Sequence, residues 1–376
     1  MEKSPFENLF VLELANNHWG RLDRGLNIIA QFAEVVRRND VHAAIKLQFR
    51  DVSSFIHGEH RNRQDVRYIQ KVGATALSWD EQKIMVDAVR AAGMVAMVTP
   101  FDELSVEKAE EFGVQILKIA SSDISDLGLL EKIAQTGKPV IASSGGANLE
   151  DLDRLVSFFC SRRIPFALNH CVSIYPSKDD ELELNQIDFL RARYPGLLIG
   201  FSTHEMTDWS SSVMMAYAKG ARTFERHIDI DADGIAVSPY CTLPHQADRW
   251  FKAFNKAVEM CGASGAIKRV PPEKEVKYLN ELVRGVYVAR DLPAGHVLTA
   301  DDVFLAVPLL HDQVSVREFT GGEVLKAPIR KDEPIYLTDI KSAYSDDLRL
   351  RRLLETRGVA RGGAEAPIER ARVGAA

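Results

Sequence analysis

The chain has 376 residues, 46% hydrophobic and 27% charged, with a formal net charge of -6; this is a soluble globular composition, long enough for a (β/α) barrel of about 250 residues plus a small second domain. The acidic balance, with no basic block ahead of the C-terminal tail, argues against a nucleic-acid surface, and no apolar run reaches the roughly 18 residues of a membrane span. The opening MEKSPFENLF lacks a signal peptide's basic start and apolar core, and four cysteines without CxxC spacing read as reduced thiols, so a cytoplasmic protein is expected.

Strand and helix signals alternate along the chain. Residues 9–14, LFVLEL, are an apolar run with Glu13 near its close, followed by the turn-like ANNHWG. Helical spacing over 23–38 precedes HAAIKLQF, a strand carrying Lys46 and Gln48. The polar interval 50–78 reads either as a substrate-covering loop or as a solvated excursion. Ser78 caps a helix reaching position 92, and MVAMVTPFD is a strand ending near Thr99. VQILKIASSD sets Lys118, Ser121 and Asp123 at the next strand end; a helix over 127–135 stops at Gly137, and KPVIASSGG closes on Ser143, Ser144 and two glycines. Three more runs end in His170 and Cys171, in Ser202 and His204, and in Glu225 and His227. About eight β/α repeats result, the count of a closed (β/α)8 TIM barrel, and no GxGxxG marks an open dinucleotide-binding sheet.

The C-terminal ends of barrel strands form the rim where substrates bind. Lys46 and Lys118 are informative there, because a buried ammonium is costly without an anionic partner. Each either pairs with a carboxylate, Glu13, Asp123 or Glu225, or holds an anionic ligand. Hydroxyls of Thr99, Ser121, Ser143 and Ser202, with amides near Gly145 and Gly146, are the donors a phosphate requires. His204 and His227 close successive strands and would converge as a divalent-metal pair, a hydrogen-bonded structural role being the alternative for each. A phosphorylated substrate beside a metal and other barrel chemistries fit these endings about equally.

In order along the chain stand ELANNHWG, AIKLQ, TPFD, LKIASSD, KPVIASSGGANLEDL, HCVSIYP, GFSTHE and FERHI. Through these blocks the chain resembles the sialic acid synthase family, also called N-acetylneuraminate synthase or NeuB-like, to about Ile340. The resemblance implies a transferase that condenses phosphoenolpyruvate with an open-chain sugar aldehyde, giving a 3-deoxy-2-ulosonic acid and phosphate with metal assistance. It implies that Lys46 and Lys118 hold the carboxylate and phosphate of phosphoenolpyruvate, with donors from Thr99, Ser121, Ser143 and Ser202. It places manganese on His204 and His227, with magnesium, cobalt or zinc as alternatives, and sets Glu13 and Gln48 near the sugar. Ser173 and Tyr175 fall on substrate-binding positions, and Asp123 stands where a glutamate is more usual. Glu13 and Asp123 are the candidate bases for the attacking water, an orienting role being the alternative for each.

Residues 1–262 are read as the barrel and 263–283 as a polar, proline-containing linker. Residues 284–341, beginning at Arg284, carry short strands, the turn PAGH, a cap at Thr299 and a closing EPIYLTDI, and resemble the small β-rich SAF or antifreeze-like domain. The resemblance implies a domain-swapped homodimer in which this domain covers the partner's barrel mouth; a domain that only stabilises or dimerises is the alternative. The basic tail 342–376, rich in Gly, Ala and Arg, is expected to form a helical turn or two and no packed core.

Departures from the family pattern fall where the sugar would lie. The GPDH-like stretch is replaced by DGIAVSPYCTLPHQ, with Ser238, Pro239 and Tyr240 in the aligned region. FLAVP carries Val307 in place of an arginine, CVS carries Ser173 in place of an amide side chain, and Ser202, Thr203 and His204 stand for SDH. Valine cannot reproduce the fork geometry of an arginine, so the expected sugar is not N-acetylmannosamine. Two other functions compete with the synthase: a metal-dependent barrel aldolase or hydrolase, and a non-catalytic descendant that binds phosphoenolpyruvate or sugar without turnover.

Overall fold

A computed structural model describes residues 4–262 and 265–361. They fall into two compact units, Met1–Ser264 and Gly265–Ala376. In the first, eight parallel strands close into a barrel in sequence order: β1 (Leu9–Ala15), β2 (Ala43–Phe49), β3 (Val95–Pro100), β4 (Ile116–Ile119), β5 (Val140–Ser143), β6 (Phe166–Cys171), β7 (Leu198–Ser202) and β8 (Thr223–His227). The returning helices are α1 (Leu22–Asn39), α2 (Val52–Phe55), α3 (Arg67–Ala74), α4 (Trp79–Ala91), α5 (Glu103–Glu111), α6 (Leu127–Gln135), α7 (Leu149–Ser161), α8 (Asn185–Arg193), α9 (Trp209–Ala218) and α10 (Pro244–Cys261). Ser78 and Glu81 form a reciprocal capping box at the start of α4. The interval 50–78 contains α2 and α3, two helices that its polar composition did not announce.

Side chains alternate across a strand, so one parity faces the helices and the other the barrel axis. Phe10, Leu12, Leu14, Ile45, Leu47, Val98, Leu117 and Phe224 join the outer core with the helices. Val11, Ala44, Met97, Ile116, Ile141 and Ala167 form a separate inner cluster, closed from below by Phe6. Two residues further along the same parity stand Glu13, Lys46, Thr99, Lys118, Ser143 and Asn169. The inner face therefore changes from apolar to polar towards the strand C-termini. Each fully buried Val, Leu, Ile or Phe contributes about 1.5–3 kcal/mol, so the apolar tiers are what stabilise the polar one above them. Gly200 is needed in this interior, because a Cβ there would collide with the side chains of Thr223 and Asn169.

β8 pairs with β1 to close the barrel, and α10 covers the seam. Phe10 meets Trp250, Phe251 and Phe254 edge-on, with ring centroids 4.7, 4.8 and 4.9 Å away. Arg24 of α1 is fully buried; it donates to Asp229 at 2.7 Å and to the carbonyls of Asn17 and Ile230 at 2.8 and 3.0 Å. That fork ties the turn after β1 to the segment after β8.

In the second unit, β9 (Gly285–Val288) pairs antiparallel with β10 (Val303–Ala306), and β11 (Val324–Leu325) with β12 (Ile340–Lys341). Val286, Val288, Leu298, Val314 and Ile340 lie in its core. Thr299 and Asp302 cap a three-residue 3-10 turn. The segment expected as a plain linker carries a helix over Glu273–Glu281, here α11, with Arg269 and Glu275 paired at 2.8 Å. The tail also differs from expectation. Its helix α12 (Leu348–Thr356) buries Leu354 in the second core, and buried Arg357 meets Glu318 at 2.5 Å. Composition hides this because one leucine and one paired arginine suffice to dock a short helix. Residues 362–376 of the expected tail lie outside the described ones. Among the described residues no helix is long and apolar enough to cross a membrane.

Removing the leucine side chain that seats α12 should leave a cavity. Leu354→Ala is expected to cost about 3 kcal/mol and to shift a urea unfolding transition of the whole chain to lower concentration. An unshifted transition would show that α12 contributes nothing to the core.

Candidate active site

Above the polar tier the strand ends open into a cavity of about 780 Å³. Glu13, Lys46, Gln48, Thr99, Lys118, Ser121, Asp123, Ser143, Ser173, Tyr175, Ser202, His204 and His227 all line it, so every site residue read from sequence is brought together. Register does much of this. Glu13 lies beside Lys46 on one side and His227 on the other, Gln48 beside Thr99, and Ser202 beside Glu225.

Lys46 is in ionic contact with Glu13 and lies 2.5 Å from Glu225 Oε1. Lys118 Nζ donates to Ser143 Oγ at 2.6 Å and to the Ile119 carbonyl at 3.0 Å, with Glu225 Oε2 no nearer than 4.0 Å. Of the carboxylates weighed as partners for the lysines, Glu13 and Glu225 take the role and Asp123 does not. Burial alone would depress Lys46, but Glu13 and Glu225 hold it above its ordinary value. Lys118 has weaker compensation, and burial pushes it down. Burial would likewise raise the Glu225 carboxyl, yet Lys118 and Lys46 hold it below the usual range. An ammonium short of counter-charge is where an arriving anion gains most.

Two buried oxygens facing this space lack partners, Thr99 Oγ1 and Asp123 Oδ2, and burial raises Asp123. The Gly145 amide donates to Ser121 Oγ at 3.1 Å. A Cβ at Gly145 would lie 2.8 Å from that oxygen and strike Ser173, so the backbone approaches the cavity here only as glycine.

The rings of His204 and His227 lie 5.5 Å apart between centroids. Burial first, and then neighbouring charge, pushes both down to about 3, so both are neutral near pH 7. His204 Nδ1 lies 2.9 Å from the Val172 carbonyl, to which the ring N–H donates, leaving the Nε2 lone pair for another partner. Among the described residues no group of three or more His, Cys, Asp or Glu is arranged to hold a metal ion. Two neutral imidazoles still suit a divalent ion whose other positions are filled by water or substrate oxygens. The Tyr175 ring is tilted against His204 with centroids 3.9 Å apart, and Tyr240 lies edge-on 5.2 Å from His227.

His170, at a strand end like the others, has the opposite parity. Its Nε2 sits 2.8 Å from the Leu182 carbonyl, outside the cavity. Sequence reasoning left out Asn169, whose amide donates to Glu225 at 3.3 Å, and did not give Glu225 a site role. Counting back by two from Cys171 and from His227, which line the cavity, would have found both. It also missed Arg50, Phe55, Tyr68, Lys71 and Phe101, which line the mouth from α2, α3 and the loops after β2 and β3. Only the spacing of Tyr68 and Lys71, three apart on a helix, hinted at a shared face.

A closed barrel that gathers ammonium groups, hydroxyls and a histidine pair at its strand C-termini has the layout of a (β/α)8 enzyme. Residues 39–262 match the model of the NeuB family and residues 283–341 that of the SAF domain. The chain belongs to the NeuB family and carries a C-terminal SAF domain. It is 33% identical over 263 residues to N-acetylneuraminate-9-phosphate synthase of Drosophila melanogaster, covering 62% of this chain and 68% of that protein. It is 26% identical over 274 residues to N,N'-diacetyllegionaminic acid synthase of Campylobacter jejuni, covering 72% and 80%. A crystal structure from Chromobacterium violaceum, named for spore coat polysaccharide biosynthesis protein E, shares 37% identity and a TM-score of 0.85, covering 89% of this chain and 100% of that one.

Glu225→Ala would leave two buried ammonium groups with one carboxylate, and is expected to destabilise the barrel by about 3–5 kcal/mol in denaturant unfolding. The folded Glu225 lies below its ordinary 4.5. Its contribution is therefore complete above that pH and lost as pH falls through the folded value, so the variant should lose less stability than the wild type on acidification below about 4.5. Equal acid slopes would show that the lysines are compensated elsewhere.

Proposed function

We propose that the protein condenses phosphoenolpyruvate with an open-chain aldose, giving a 3-deoxy-2-ulosonic acid and inorganic phosphate. The observation that carries this reading is Lys118, an under-compensated ammonium among hydroxyl donors, facing a neutral histidine pair across one cavity. The names of the relatives, acid synthases, support the same reaction class.

In this reading Lys46 and Lys118 bind the carboxylate and phosphate of phosphoenolpyruvate, and the hydroxyls of Thr99, Ser121, Ser143 and Ser202 donate to its oxygens. Glu13 accepts from Gln48 at 2.9 Å, and this pair faces the sugar hydroxyls. A divalent metal on His204 and His227, manganese first, supplies Lewis acidity at a carbonyl oxygen. C3 of phosphoenolpyruvate bonds to the aldehyde carbon, water adds at C2, and the C2–O bond to phosphate breaks. Asp123, raised by burial and with one oxygen free, takes the proton of that water. Tyr175 and Tyr240 wall the histidine pair and limit solvent there. Tyr240 stands where the family's acid and histidine are missing, and Val307 is exposed on the second unit, so the sugar is one other than N-acetylmannosamine. A cytoplasmic homodimer, with the SAF domain over a partner's barrel, completes the reading.

The test is phosphate release from phosphoenolpyruvate with manganese across a panel of aldoses and N-acyl hexosamines. Release should depend on one class of sugar, stop on chelation and fall on the order of a hundredfold or more in His204→Ala. Protection of the protein against heating by phosphoenolpyruvate, with no release for any sugar, would favour the binding-only descendant. Sugar cleavage or hydrolysis without phosphoenolpyruvate would favour the aldolase or hydrolase.

A further inference from the structure

The sheet does not by itself fix the two histidines relative to one another. β7 and β8 pair at Phe201 with Phe224 and at Ser202 with Glu225, and the Thr203 amide donates to the Glu225 carbonyl at 3.1 Å. Among the described residues no backbone hydrogen bond joins the two segments beyond that point, and His204 and His227 both lie past it. His227 is still held against β1, opposite Glu13, but no ladder bond sets His204 relative to it.

Two side chains next to the pair make the junction instead. Arg226 precedes His227 and has the opposite parity, so it lies on the helix side of β8, 5.5 Å over the ring of Trp209 on α9. Glu205 follows His204. Both are buried, at 2% and 0% exposure. Arg226 Nη1 lies 2.8 Å from Glu205 Oε2, Nη2 donates to the Glu205 carbonyl at 2.7 Å, and Nε donates to Thr242 Oγ1 at 2.8 Å. Glu205 also accepts from the hydroxyls of Thr203 and Ser212. The Thr242 amide in turn donates to the His227 carbonyl at 2.8 Å, and Ser177, which is bridged to Glu205, donates its amide to the His204 carbonyl at 3.2 Å. One arginine fork thus ties together the segments that carry His204, His227, Tyr175 and Tyr240, the tyrosines standing two residues before Ser177 and Thr242.

An ion pair buried this completely adds little net stability over well-packed apolar residues of the same volume, so its place beside a site calls for another reason. The planar guanidinium supplies one, because it holds its three acceptors at set angles. We infer that Arg226 and Glu205 are positioning residues for the divalent ion: by locking the ends of β7 and β8 together they set the spacing of the His204 and His227 imidazoles. This rests on the metal reading of the proposed function. Neither side chain lines the cavity, so neither touches substrate, and their effect passes through the histidines. With two protein ligands only, the spacing of the rings weighs heavily on affinity, and the groups that hold such ligands are worth on the order of tenfold to a hundredfold in metal binding.

The experiment measures manganese binding to the full chain without phosphoenolpyruvate or sugar, free manganese being read from its electron paramagnetic resonance signal. The double variant Glu205→Met/Arg226→Met replaces both charges by apolar chains and should keep or raise the midpoint of urea unfolding. Its Kd for manganese should nevertheless rise by on the order of tenfold or more. Arg226→Lys keeps the charge without the fork and should raise the Kd less. Thr242→Val removes one acceptor at nearly constant shape, a mild change that leaves the ion pair in place, and should raise the Kd about fivefold, the equivalent of one hydrogen bond. In every variant phosphoenolpyruvate should protect against heating as in the wild type when a chelator is present, because Lys46 and Lys118 are untouched. A manganese Kd within about twofold of wild type in the folded variants overturns the inference, whatever the unfolding midpoint does. So does a loss of protection by phosphoenolpyruvate in parallel with the loss of manganese, which marks general damage to the barrel. If the wild type binds no manganese, magnesium, cobalt or zinc, the metal reading of His204 and His227 falls and the inference falls with it.

Discussion

The arrangement on which the rest depends is the buried ionic cluster of Lys46, Glu13, Glu225 and Lys118. Desolvating a charge costs several kcal/mol unless a partner repays it, so these four groups are tolerated inside the barrel only together. Each comes from a different strand or a different register position, and only barrel closure brings them within reach. Glu225 on β8 meets Lys46 on β2 because β1 lies between and pairs with both. The same closure sets His227 beside Glu13. A barrel that failed to join β8 to β1 would leave lysines and carboxylates each without counter-charge. The aromatic cover of α10 over that seam is therefore part of the site's support as well as of the core.

The cluster is stacked on apolar tiers that make it affordable. Alternation in each strand puts Val11, Ala44, Met97, Ile116, Ile141 and Ala167 directly beneath the polar tier, and close packing there keeps water from reaching it from below. Solvent enters only from the strand C-termini, where the cavity lies. Low local dielectric then strengthens every interaction in the polar tier, which explains why the histidines stay neutral and why Lys118 is depressed while Lys46, in contact with two carboxylates, is raised.

Around this fixed floor the mouth is built from less regular pieces. Arg50, Tyr68 and Lys71 come from the β2–α4 interval, Phe101 from the turn after β3, and Tyr240 from the segment after β8 that Arg24 holds through Asp229 and Ile230. Floor and mouth thus have different physical origins. Strand parity dictates the floor, whereas short helices and loops dictate the mouth, where substitutions alter what is recognised without disturbing barrel closure.

The sequence by itself determined the eightfold strand–helix alternation, the capped start of α4 and the residues on the cavity floor other than Asn169 and Glu225, because period-two burial and strand-end chemistry are local signals. It also carried the family through short ordered blocks. Local pattern could not tell whether Lys46 and Lys118 pair with carboxylates or stand free, since that depends on Glu225 arriving from across the closed sheet. Nor could it show that His170 faces outward while His204 and His227 face in, for a strand-end histidine reads the same until the parity of its strand is fixed. The α2–α3 mouth and the docking of Leu354 were likewise decided by tertiary structure: a polar segment with one or two apolar side chains becomes ordered only when a partner surface exists to bury them.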